Sequence, residues 1–97
     1  MIRHVFIWSV VDCTAANSVL DELASLEQAV PGLRNWSIGK QIKAPPYSSC
    51  GEWQYILMAD FETQADLDAY QSDPAHAAIV SRVASQYKDW AVVDYEI

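Results

Sequence analysis

Residues 2–11 alternate between two faces, with Ile2, His4, Phe6, Trp8 and Val10 on one and Arg3, Val5, Ile7, Ser9 and Val11 on the other. Both faces are largely apolar, which predicts a strand covered on both sides. Over 14–30 the period changes, and Val19, Leu23, Leu26 and Val30 recur at steps of four, three and four while Asp21, Glu22, Ser25 and Gln28 fall elsewhere. That is the stripe of an amphipathic helix. Asp12 and Thr14 compete as its cap. Pro31-Gly32 ends it, because proline cannot continue the hydrogen-bond ladder and glycine allows the turn.

Alternation returns over 33–42, with Trp36, Ile38, Lys40 and Ile42 opposed to Asn35, Ser37, Gly39 and Gln41, and predicts a strand with one more polar face. The stretch 43–52 holds Pro45-Pro46, Ser48-Ser49 and Gly51, which is loop chemistry. It is either a lid over a cavity or an ordinary connection. Residues 53–61 set Trp53, Tyr55, Leu57, Ala59 and Phe61 against Gln54, Ile56, Met58 and Asp60, and so predict a central strand.

Thr63 and Asp66 have the spacing of a capping box, so a short helix follows to about Tyr70. Asp73-Pro74 then opens another: aspartate is a favoured N-cap, and proline at the first helical position gives up an N–H that has no partner there. Its apolar stripe is His76, Val80, Val83 and Tyr87, joined by Ile79 and Ala84, and must face the sheet. Residues 88–97 alternate once more and close the chain as a strand.

The order strand, helix, strand, strand, two helices, strand predicts a single α+β domain over 1–97, a ferredoxin-like protomer with a four-stranded antiparallel sheet. Helices then cover one sheet face only. Strands that are apolar on both faces leave the other face in need of a partner, and a second copy of the same sheet, giving a dimeric α+β barrel, is the economical one.

Composition sharpens this expectation. The chain has 97 residues, is 52% apolar and carries four tryptophans, more bulky apolar surface than one small core hides, which again favours a homodimer. Its formal charge of −7, with no basic run, argues against nucleic acid as a partner. Cys13 and Cys50 have neither disulfide-framework nor zinc spacing. No apolar stretch is long enough to span a bilayer, and the apolar start, interrupted by His4, lacks a cleavage pattern, so a cytoplasmic location is expected.

Met1-Ile2-Arg3-His4-Val5, Pro31-Gly32-Leu33 with Ile38-Gly39-Lys40, Ala59-Asp60-Phe61-Glu62, Asp68-Ala69-Tyr70 with Pro74-Ala75-His76, and Val92-Val93-Asp94-Tyr95 resemble the stress-responsive dimeric α/β-barrel (Dabb) family over essentially the whole chain. The resemblance implies a ferredoxin-like protomer that dimerises through its sheets. Most members have no assigned activity, but one is a plant polyketide (olivetolic acid) cyclase, which closes a linear poly-β-keto chain by aldol condensation. Its working tyrosine and histidine fall by motif on Tyr70 and His76, although its histidine before the proline is Asp73 here.

Near the positive end of the helix dipole a histidine favours its neutral form, which suits His76 as a general base, while Tyr70 hydrogen-bonds a carbonyl oxygen. The implied function is cofactor-free acid/base chemistry, of the cyclase (lyase) or isomerase kind, on a hydrophobic carbonyl compound, with His4, Phe6, Trp8, Tyr55 and Phe61 lining the pocket. The alternative is a non-catalytic stress-responsive or ligand-binding homodimer. In that case His76 closes a structural hydrogen bond, Tyr70 packs and His4 is a core residue. A metal held by His4 and His76 with Asp60 or Asp94 has no supporting ligand spacing, and none is expected.

Overall fold

The structure, a computed structural model, describes residues 1–11, 16–30, 32–42 and 53–97, with the backbone alone at 16 and 17. The expected caps Asp12 and Thr14, Pro31, both cysteines and the loop 43–52 lie outside the described residues. In chain order the elements are β1 (Ile2–Val10), α1 (Ala16–Ala24), α2 (Leu26–Ala29), β2 (Arg34–Lys40), β3 (Tyr55–Phe61), α3 (Gln64–Ser72), α4 (Pro74–Val83), a 3₁₀ turn (Ala84–Gln86) and β4 (Tyr87–Glu96). The sheet order is β2-β3-β1-β4, all neighbours antiparallel. This is the ferredoxin-like α+β arrangement, with β1 and β3 inside and β2 and β4 as edges.

Opposed residues share a face of the sheet. On the helix-covered face the register aligns His4 with Ala59 and Asp94, Phe6 with Leu57 and Val92, and Trp8 with Tyr55 and Trp90. The open face carries Arg3 with Asp60 and Tyr95, Val5 with Met58 and Val93, and Ile7 with Ile56 and Ala91. Among the described residues no element covers those rows, and Ile56, Val93 and Tyr95 are 45%, 60% and 45% exposed. Exposed apolar residues gathered on one sheet face are a general mark of docking surfaces.

The long helix expected over 14–30 is two helices. Ser25 donates its hydroxyl to the Glu22 carbonyl at 2.5 Å, a local bond that competes with the ladder and coincides with the break. The stripe survives it: Val19, Leu23, Leu26 and Val30 are all buried. Each contributes roughly 1.5–3 kcal/mol by burial, so Leu26→Ala is the kind of change that empties the core.

Two boundaries differ from the sequence pattern. Trp53 precedes β3 rather than opening it. Tyr87, placed by its spacing on the α4 stripe, is the first residue of β4: its N–H closes the 3₁₀ turn on Ala84, and it pairs with Val10. Four residues after Val83 is inward on a helix, but sheet pairing brings the same side chain inward from a strand. Direction was predicted by the pattern, whereas the element was decided by the tertiary contact.

One device shapes the open face. The register between β2 and β3 slips between Arg34 and Ser37, and Asn35 takes up the extra residue at φ 50°, a left-handed conformation that asparagine tolerates better than most side chains. Its amide reaches Asp60 at 2.7 Å. Arg3 grips the same carboxylate from the other side through two bonds, at 2.9 and 3.0 Å. Asp60 has no exposed surface, yet the Arg3 guanidinium holds its carboxyl below the usual range against the opposing pull of burial.

Candidate functional site at the helix junction

The junction between α3 and α4 is built from short-range signals. Thr63 caps α3 by accepting from the Asp66 N–H at 3.2 Å. At the far end one residue serves both helices: the Asp73 N–H bonds the Tyr70 carbonyl at 3.2 Å, and its carboxylate accepts from the Ala75 N–H at 2.8 Å. Pro74 takes the first helical position, as its missing N–H allows. His76 is therefore the third residue of α4, six residues after Tyr70 across the bend.

The two rings meet. Tyr70 and His76 have centroids 4.5 Å apart at 60°, while Tyr70 also touches Phe61 at 5.1 Å and lies edge-on to His4 at 5.9 Å. Tyr70 is only 3% exposed. Burial holds its phenol protonated far above the ordinary value, and no group among the described residues accepts its hydroxyl. His76 is pulled the other way for an imidazole, below 6.5. Burial is the largest cause and the neighbouring His4 adds to it, against Asp73 and a hydrogen bond to the Gln71 backbone. The neutral ring expected from the helix dipole thus rests mainly on desolvation.

A cavity of about 300 Å³ opens beside this pair, between the sheet and the helices. At one end stand His4, Tyr70, Gln71 and His76; Leu23, Leu26, Phe6 and Leu57 form its floor; Val80 and Ala84 come from α4, and Tyr87, Trp90 and Val92 from β4. It has a polar end and an apolar one. His4 meets Asp94 across the β1–β4 pairing, Nδ1 to Oδ1 at 2.5 Å. A carboxylate accepts, so the shared proton belongs to Nδ1 and Nε2 is the nitrogen left for a ligand. Burial pushes the Tyr87 phenol up to about 12, so it too stays protonated.

Of the residues expected at the site, Tyr70, His76, His4 and Phe6 come together around this cavity, and three do not line it. Trp8 and Phe61 have no exposed surface: Trp8 stacks behind Phe6 at 5.1 Å and Phe61 backs Tyr70. Tyr55 stacks on Trp8 and lines a separate hollow with Ile7, Lys40 and Trp53. Strand alternation predicts which face a residue takes but not its depth. Asp94, Trp90 and Val92 carry no local signal, since only the β1–β4 register brings them opposite His4, Trp8 and Phe6. Among the described residues no three His, Cys, Asp or Glu side chains gather, and Asp60 belongs to the opposite sheet face.

The fold and the cavity together describe a small two-layer α+β protomer, helices on one face of a sheet, with a lined pocket under its helices. The chain belongs to the stress responsive A/B barrel domain (Dabb) family, which matches residues 2–97. Among solved structures it is similar to a dimeric ferredoxin-like protein of unknown function from Thermobifida fusca (24% identity, TM-score 0.81, 99% of this chain and 90% of that one). A Dabb family protein from Mesorhizobium loti is similar at 20% identity and TM-score 0.83, over 99% and 95% of the two chains. The hydroxynitrile lyase from Passiflora edulis is similar at 13% identity and TM-score 0.84, over 99% and 92%. At these identities the likeness is one of fold. No curated protein matches the sequence. Among the described residues no helix is long and apolar enough to cross a membrane.

Proposed function

We propose that the protein is a small-molecule enzyme that moves protons on a hydrophobic carbonyl compound, with His76 as general base and Tyr70 as hydrogen-bond donor. The observation that carries this reading is the 4.5 Å approach of the two rings in the wall of one apolar cavity. The neutral His76 ring takes a proton from the carbon next to the carbonyl, and the enolate oxygen accepts a hydrogen bond from the Tyr70 hydroxyl. In an aldol cyclisation that carbon then bonds to a second carbonyl carbon, whose oxygen takes the proton back from the imidazolium. In a tautomerisation the proton returns to a different atom of the enolate. Atoms and charges balance in both, and neither step requires a cofactor.

His4, held by Asp94, offers Nε2 to the second oxygen, and Phe6 offers an apolar wall. Trp8, Tyr55 and Phe61 act from behind by fixing Phe6 and Tyr70. The resemblance of Asp68-Ala69-Tyr70 with Pro74-Ala75-His76 to the motif of the plant polyketide cyclase's working pair supports a cyclase-like step. The test is deuterium wash-in at the methyl and methylene groups of 4-phenylbutan-2-one in D₂O, followed by NMR. Exchange above the buffer rate that falls by about a hundredfold in His76→Ala is expected for loss of a general base. Exchange that is equal in wild type and variant would leave a non-catalytic, ligand-binding homodimer as the reading.

The same proposal includes a homodimer through the open sheet face. Support comes from the exposed Ile56, Val93 and Tyr95 on that face and from the similar dimeric protein of Thermobifida fusca. Placing a charge in the middle of such a patch, as in Val93→Arg, is expected to convert a dimer to monomer at micromolar concentration in sedimentation velocity. A wild-type chain that sediments as a monomer there would sink the dimer.

A further inference from the structure

The cavity has a property that its shape alone does not show: among the described residues no basic side chain lines it. Three of the chain's cations are committed elsewhere, Arg3 to Asp60 on the open face, Arg34 to Glu62 and Arg82 to Glu22. Lys40 lines the separate hollow beside Ile7. Lys88 is exposed on β4 and is not part of the wall.

The other usual sources of positive potential are also neutralised. A helix N-terminus is a ready anion site, but the first turn of α4 is already occupied by the Asp73 carboxylate on the Ala75 N–H at 2.8 Å. Of the two imidazoles, His4 is tied to the Asp94 carboxylate at 2.5 Å, and half-burial favours the neutral form of His76. The Asp94 side chain, bonded to the wall residue His4, is one-third exposed, and the whole chain carries −7. Among the described residues an anion entering here meets no cationic side chain in the wall, and the carboxylates bonded to the wall, Asp94 on His4 and Asp73 at the start of α4, are of its own sign.

We propose that this cavity selects on charge, admitting a neutral ketone and turning away the carboxylate of the same shape. The inference rests on the reading of the cavity as a ligand site and adds the class of ligand: an uncharged, apolar carbonyl compound rather than an acid, a phosphate ester or another anionic conjugate. Desolvating an anion against this largely apolar wall without a cationic partner is unfavourable. A ketone loses little on transfer and regains a hydrogen bond from Tyr70.

The test compares two molecules of nearly equal size, 4-phenylbutan-2-one and 3-phenylpropanoate, titrated at pH 7 and fixed salt into ¹⁵N-labelled protein. The ketone is expected to shift resonances of Tyr70, His76 and Trp90 and to bind about tenfold more tightly than the acid, the scale of one uncompensated charge near a partly solvated carboxylate. Val92→Lys sets an ammonium on an exposed position of β4 at the cavity wall, and is expected to close most of that gap. Equal or tighter binding of 3-phenylpropanoate to the wild type would overturn the proposal, as would ketone-induced shifts confined to residues outside the cavity. The outcome is separable from catalysis. A ketone preference without deuterium exchange removes the enzyme reading and keeps the charge selection, while exchange with equal affinities does the reverse.

Discussion

Arg3 and His4 are neighbours on β1 that point to opposite faces of one sheet, and their polar partners are treated in opposite ways. On the open face Asp60 is fully buried and takes three hydrogen bonds, two from Arg3 and one from Asn35. On the helix-covered face His4 spends one nitrogen on Asp94, and the Tyr70 hydroxyl has no acceptor among the described residues. A saturated buried carboxylate is structure. Polar groups that line an apolar cavity with bonding capacity to spare are poised for something outside the chain.

The contrast breaks most visibly at Asp60. Asp60→Ala leaves the Arg3 guanidinium and the Asn35 amide without their partner, and is expected to cost about 3 kcal/mol in urea unfolding. The sign of its pH dependence is fixed. The folded-state carboxyl lies below its ordinary value of 3.8, so its stabilisation is complete above that pH and is lost as pH falls through the folded value. Asp60→Asn is expected to flatten that acid loss, and an unchanged acid transition would count against the saturated reading.

Tyr70→Phe probes the other face. The variant removes a hydroxyl that has no acceptor among the described residues and is expected to leave the unfolding midpoint nearly unchanged while slowing ketone exchange about tenfold, as for one lost donor to an oxyanion. A large loss of stability instead would place Tyr70 with Asp60, on the structural side of the comparison.

The smallest effect is a shift of the acid limb of the exchange rate. Because His76 lies below 6.5, the limb is expected below that pH, and Tyr70, held protonated, adds no basic limb near neutrality. Asp73 opposes the lowering, so Asp73→Asn, which keeps a good cap, is expected to move the limb further down by a fraction of a pH unit. Movement upward would contradict the electrostatic account.

Much of this was legible in the sequence because it rests on short-range rules. Alternation placed His4 and Phe6 on one face, the Asp73-Pro74 start aimed His76 inward, and the stripe from Val19 to Val30 was buried as read, even across the break at Ser25. What escaped belongs to pairing at long range. Asp94 is ninety residues from His4 and becomes its partner only through the β1–β4 register. Tyr87 left its helix for the same reason. Depth also escaped, so Trp8 and Phe61 were credited with a cavity that other aromatic residues enclose.

The double use of Asp73 as the end of α3 and the start of α4 means the junction has no spare length. Inserting a single residue there would advance α4 by one position and turn its face by about 100°. His76 would swing out of the wall while Tyr70 stayed in place. The length of this elbow is thus a dimension of the site in its own right: a homologue keeping both rings but one residue longer at the bend would retain the parts and lose their alignment.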